Sequence, residues 1–185
     1  MKFPQYQQIE IYDETQKGRY IELLQAFGSD IHFDDDTWVC DKRRRNNTDP
    51  ANYMNIYFAS IPYAYKNLVK YYGIIRLLQG NTVRTVRTSI GKIVPFTQFL
   101  KENYSAPLLS ACNISIAIRF KEYLDGSKMA ESTKKSIWLQ TSSLLRTMDG
   151  FEGRTIKNPF TANPYIQKMK LDYKYIPESI ACKLD

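Results

Sequence analysis

GNTVRTVRTSIGKIVPFTQFL, residues 80–100, carries two patterns at once. At the helical step of about 100° per residue, Val83, Val86, Ile90, Ile93, Val94, Thr97 and Leu100 gather on one stripe. Arg84, Arg87, Thr88, Gly91 and Lys92 fall outside its centre. The sequence therefore predicts a helix that buries one side and offers cations, a hydroxyl and a glycine on the other, chemistry suited to a nucleic-acid backbone. Gly80 closes whatever precedes it, and Asn81 or Thr82 supplies the cap. Pro95 has no amide hydrogen and its ring is directed at the Gly91 carbonyl, which predicts a bend or a restart there.

Upstream, a helix is expected from Ser60 to Gly80, with Pro62 in its first turn, Leu68, Tyr72, Ile75 and Leu78 facing inward, and Lys66 and Lys70 elsewhere on its surface. Downstream, a third helix runs from Asn113 to Asp125 with Ile114, Ala117, Ile118 and Leu124 inward. A fourth is capped near Ser132 or Thr133, buries Ile137, Thr141, Leu144, Leu145 and Met148, and shows Lys134, Lys135, Ser142 and Arg146. Trp138, Phe120 and Met148 read as core, as does Cys112. The fold class is mainly α, a bundle of four to five helices over 60–150.

Residues 1–59 read as a small mixed α/β lobe. Strand patterns occur at 8–12, 37–40 and 55–58, and a short helix at 18–27. The polar stretch 41–52 makes a long hairpin tip; its Lys42–Arg45 run is a solvated loop before it is a DNA contact. The segment 151–185, with two Asn-Pro pairs and many lysines, reads as a basic interdomain linker, and Pro177 opens a further helix.

Composition limits the functions available. The chain has 185 residues, 43% of them hydrophobic, and a net charge of +7, enough for one core and a flanking lobe. Residues 1–60 carry a net −3 and residues 61–185 a net +10, and from Ile61 to Lys92 six cations occur without one acid. Such asymmetry suits a polyanion. Three scattered cysteines and the single His32 do not complete a zinc site or a disulfide framework, and Asp34–Asp36, being consecutive, cannot all face one ion. No metal and no cofactor is expected. No apolar run spans a bilayer and no signal peptide begins the chain, so a cytoplasmic protein is expected.

Three pieces of 61–185, in order, carry a family resemblance: NTVRTVRT (81–88) leading to FTQFL (96–100); STKKSIWL (132–139) leading to LLRTM (144–148); and NPFTANP (158–164) leading to KYIPESIACKL (174–184). Together they resemble the SAM-like core-binding domain of tyrosine site-specific recombinases, the phage-integrase family. The resemblance implies sequence-directed binding of double-stranded DNA at a recombination half-site, in integration or recombination of a phage or mobile element on nucleoid DNA. It implies Arg84, Arg87, Thr88, Lys92, Lys134, Lys135, Ser142 and Arg146 as DNA contacts, with Lys66 and Lys70 of the basic run beside them. It further implies a separate catalytic domain as partner, self-assembly that depends on DNA, and no cleavage by this polypeptide. The family's arginines, histidine and attacking tyrosine belong to that other domain; none of the 14 tyrosines here has the required setting. A helical module docking an acidic protein through its basic face, and a free-standing DNA-binding regulator, stand as alternatives.

Overall fold

The computed structural model describes residues 14–43, 54–151 and 153–166, and among them the protein is mainly helical. Helix α1 (Glu14–Leu24) is followed by strands β1 (Thr37–Val39) and β2 (Asn55–Tyr57), then α2 (Tyr63–Leu78), α3 (Val83–Tyr104), α4 (Ile114–Asp125) and α5 (Glu131–Thr147). The strand expected at 8–12, most of the hairpin tip and the helix expected after Pro177 lie outside the described residues.

Helix α3 keeps the stripe read from its sequence. Val83, Val86, Ile90, Ile93, Thr97 and Leu100 are buried, joined by Ser89, Phe96 and Phe99, while Val94 is half-buried. Gly80 turns the corner at φ 85°, in the left-handed region glycine tolerates. Thr82 then caps the helix by accepting the Thr85 amide (3.2 Å). Of the bend or restart expected at Pro95, the restart does not occur: the helix is continuous from Val83 to Tyr104. The carbonyl facing the proline ring belongs to Gly91, where nothing else crowds the position.

Ten of the sixteen residues of α2 are buried, because α1, α3 and α5 all pack on it. The residues flanking β1 and β2 overturn the expectation for Lys70, which is 1% exposed with its ammonium near the rings of Phe33 (5.4 Å) and Phe58 (5.7 Å). Burial, opposed by the Asp34–Asp36 carboxylates, lowers its pKa below the ordinary 10.5. The unfolded chain thus binds more protons than the folded one as pH approaches 10.5, and stability rises through that window. Lys70→Met is expected to raise stability at pH 7 by about 1–2 kcal/mol and to abolish the alkaline rise, read by urea unfolding at pH 7 and 10.

Strands β1 and β2 pair antiparallel, Trp38 opposite Ile56. They lie where strands were expected, at 37–40 and 55–58, and their side chains alternate: Trp38 and Ile56 are fully buried, while Thr37, Val39 and Tyr57 face out. The hairpin has no core of its own. Trp38 packs edge-on against Phe58 (4.5 Å between centroids) and lies beside Gly73 of α2, so α1 and the two strands share one cluster with the other helices. Gly28 closes the other flank, where any Cβ would collide with the Val39 carbonyl and Ile31.

In α4 the inward residues are Ile116, Ala117, Phe120 and Leu124; Ile114 and Ile118, expected inside, are 71% and 55% exposed. Asn113 caps the helix where expected, its side-chain oxygen accepting the Ile116 amide (3.1 Å). Helix α5 begins at Glu131, ahead of the expected Ser132 or Thr133 cap, and Ala130 occupies the cap position without a side-chain bond.

The segment read as a linker is held against the bundle over 153–166. Ile156 and Phe160 are buried. Asn158 and Asn163 act alike: each side-chain oxygen accepts the amide two residues on (Phe160, 2.9 Å; Tyr165, 3.0 Å). Each side-chain amide donates to an α5 carbonyl, Ser142 at 3.3 Å and Lys135 at 3.1 Å. Those carbonyls stand seven residues apart, about two turns, so the two Asn-Pro-aromatic units follow the helix axis.

Candidate nucleic-acid interface

Helix α3 is buried on the side facing α2, β2, α4 and α5, so its remaining side chains have one direction left. Arg84, Thr88 and Gly91 are exposed and Lys92 is half-buried; their spacing places them along one strip of the helix. No acid occurs in the helix before Glu102. The helix therefore presents positive charge and a backbone without a side chain together in its amino-terminal half, where the unpaired amides also favour an anion.

Arg87 sits at the border of this strip. It is half-buried, and its guanidinium carbon lies 4.9 Å from the centroid of the Tyr57 ring on β2. Tyr57 is 44% exposed, and its hydroxyl oxygen accepts a bond from the Asn55 side-chain amide (3.3 Å). Sequence reasoning missed Tyr57. The strand alternation that buried Ile56 also placed Tyr57 outside, but only the fold brings β2 beside α3.

The acid-free basic run divides by role. Lys66 pairs with Asp36 of the hairpin lobe (2.8 Å), and Lys70 is in the core. Arg76 donates to Gln79 (3.3 Å) and Asn81 (3.2 Å), and Asn81 returns a bond to the Arg76 carbonyl (2.9 Å), fixing the corner between α2 and α3. Lys70 therefore does not stand at the surface with the other candidates, and Lys66 serves an ion pair between lobe and bundle. What the run contributes outward is Arg84, Arg87 and Lys92, all on α3.

On α5, Lys135 and Arg146 are exposed and eleven residues apart, nearly in line and roughly 16 Å distant along the axis. Lys134 is half-buried with its ammonium 3.4 Å from the Asp125 carbonyl. Ser142 corrects the outward expectation. It is 6% exposed, because Asn158 covers it and donates to both its carbonyl and its hydroxyl (3.0 Å to the latter). Trp138, read as core, is buried and donates to the Ala162 carbonyl (2.8 Å).

Among the described residues, no group of three or more His, Cys, Asp or Glu side chains is placed to hold a metal ion. Within them, no helix is long and apolar enough to cross a membrane. Comparison with protein-family models, with curated proteins and with solved structures finds no match to this chain.

Proposed function

We propose that this chain binds duplex DNA through the outward strip of α3, as the SAM-like core-binding part of a tyrosine recombinase acting in integration or recombination of a mobile element. The observation that carries the reading is that strip. Arg84, Thr88, Gly91 and Lys92 share one side of a helix whose other side is core, with no acid among them. Arginine is suited to fork onto a phosphate or a guanine edge, and the lysine and threonine to fix the protein on the backbone. Lys135 and Arg146 on α5 are further exposed cations. Cleavage chemistry, in this reading, belongs to a separate domain of the parent protein, acting on nucleoid DNA.

A second reading has its own observation. Ile114 and Ile118 stand one turn apart on α4, both more than half exposed, a small apolar face of the kind protein partners cover. A protein-docking module would leave duplex DNA unbound.

The test is titration of a labelled 30-base-pair duplex of mixed sequence, followed by anisotropy over a range of salt. Affinity is expected to fall steeply with salt as counterions are released. Arg84→Ala combined with Lys92→Ala is expected to cost about 1–3 kcal/mol of binding and to flatten the log–log salt slope by about 2. Unchanged binding by that variant, with an unchanged melting temperature, removes α3 from the interface.

A further inference from the structure

We infer that Thr88, Gly91 and Lys92 form one seat for a phosphodiester and its sugar, so that at the middle of α3 the DNA backbone rests on the main chain of the helix. This rests on the reading of α3 as the DNA-contacting helix, and it names the part of the duplex that the helix meets and the groups that meet it.

Gly91 is the residue that asks for a reason. It stands inside a helix of 22 residues, where glycine is less favourable than any residue but proline. Packing does not require it: a Cβ placed there meets no atom within 4 Å, and the residue is not among the glycines with positive φ. Gly73 of α2 shows the contrast, since a Cβ there would already touch Ile90 and Trp38, each at 3.5 Å. Openness alone assigns nothing, because Gly18 of α1 is equally open. What sets Gly91 apart is its company. Thr88 has Gly91 three residues on and Lys92 four residues on, the two spacings that make surface neighbours on a helix, with about 5–6 Å between Cβ positions. Thr88 and Gly91 are exposed and Lys92 is half-buried. Among the described residues, neither the Thr88 hydroxyl nor the Lys92 ammonium is held in a hydrogen bond or an ion pair.

A donor and a cation therefore border a piece of uncovered main chain. The hydroxyl can donate to a non-bridging phosphate oxygen, and the ammonium can offset the charge of the group. The adjoining deoxyribose is too bulky to come against a helix through an intervening side chain, and glycine leaves it room. A carboxylate on a flexible protein side chain would reach the same lysine and threonine without any need for bare main chain. The glycine is thus what favours a rigid partner such as the backbone of a duplex.

Binding of the full chain to the mixed-sequence duplex is measured, together with melting temperature, for Gly91→Ala, Gly91→Leu, Thr88→Val, Lys92→Ala and Arg84→Ala. Both glycine variants favour helix and enter open space, so their melting temperatures are expected to rise by about 2–4 °C. Affinity is expected to fall about 3- to 10-fold for alanine and more than about 10-fold for leucine. The salt slope should not change in either, since no charge is removed. Lys92→Ala should flatten that slope by about 1, and Thr88→Val should weaken binding about 2- to 5-fold at constant slope. If Gly91→Leu binds within about 2-fold of wild type while Arg84→Ala still weakens binding, the seat is overturned and α3 stays in the interface. If Arg84→Ala also binds as wild type, the reading of α3 has failed and the seat falls with it. Loss of affinity in the glycine variants, with Thr88→Val and Lys92→Ala both unaffected, would show a close approach without a phosphate and also overturn the proposal. So would a lower melting temperature for Gly91→Ala, which would assign the glycine to the Pro95 ring facing its carbonyl.

Discussion

Trp38→Ala is expected to lower the stability of the whole protein by about 3–5 kcal/mol, with helices and hairpin melting together. The indole is fully buried, donates to the His32 carbonyl (3.0 Å), and packs on Phe58 and Phe33. Its far edge lies beside Gly73 in the middle of α2, whose neighbour there is Ile90 of α3. Removing it opens a cavity at the junction of hairpin, α2 and α3, not within a lobe that could loosen alone. The chain contains two tryptophans, so in this variant Trp138 is the sole indole reporter, and it stands at the opposite end of the core against Phe160 and Phe120. Urea unfolding followed by Trp138 fluorescence and by helical circular dichroism should shift to the same lower midpoint. A Trp138 transition left at the wild-type midpoint would mean that α1 and the β1–β2 pair unfold as a separate unit.

The sequence made α3 legible because every decisive residue of that helix obeys one period. Val83, Val86, Ile90 and Ile93 take the core, and Arg84, Thr88 and Gly91 are left outside by the same rotation. The two strands were legible as well, at 37–40 and 55–58, though not which of their side chains face inward. Periodicity fails where a helix is covered from several directions. On α2 a lysine was placed outside by its chemistry, which is the usual outcome, yet Phe33 and Phe58, flanking the two strands, lie on the Lys70 ammonium and enclose it. Ser142 fails for a related reason: its place on α5 is outward with respect to the bundle, and only the later arrival of Asn158 buries it. Ile114 and Ile118 were assigned inward on hydrophobicity, but the buried stripe of α4 is Ile116, Ala117, Phe120 and Leu124, with Phe120 among the rings of the core. For Lys70 and Ser142 the missing information was a second element, distant in sequence, that no local pattern encodes. The candidate interface was affected in the same way, since Arg84 and Lys92 follow from α3 alone whereas Tyr57 requires β2 to be beside it.

Phe160→Ala should decide how firmly the segment after α5 belongs to the fold. A linker phenylalanine could be truncated for less than about 0.5 kcal/mol. Phe160 is instead 1% exposed, with ring centroids of Trp138, Phe96 and Phe120 at 4.7, 5.3 and 6.1 Å, so it joins α3, α4 and α5 through one side chain. The turn that aims it is local: Asn158 accepts its amide and anchors to Ser142, and five residues on Asn163 repeats the device for Tyr165. Tyr165 then reaches the Asp125 carboxylate at the end of α4 (2.9 Å). Its hydroxyl pKa is raised by burial and by that carboxylate, so the phenol is a neutral donor throughout the physiological range. Truncating Phe160 leaves this polar frame in place and removes only the apolar anchor, so the loss should follow the cavity it leaves, about 3–4 kcal/mol and a fall of roughly 10 °C in melting temperature. Differential scanning calorimetry gives the number, and Trp138 fluorescence, red-shifted as water enters beside the indole, gives its location. A melting temperature within about 1 °C of wild type would mean that 153–166 rests on the bundle without contributing to it. The expected result makes the segment a fifth side of the core, and a fragment cut after α5 would expose Trp138 and Phe96 together.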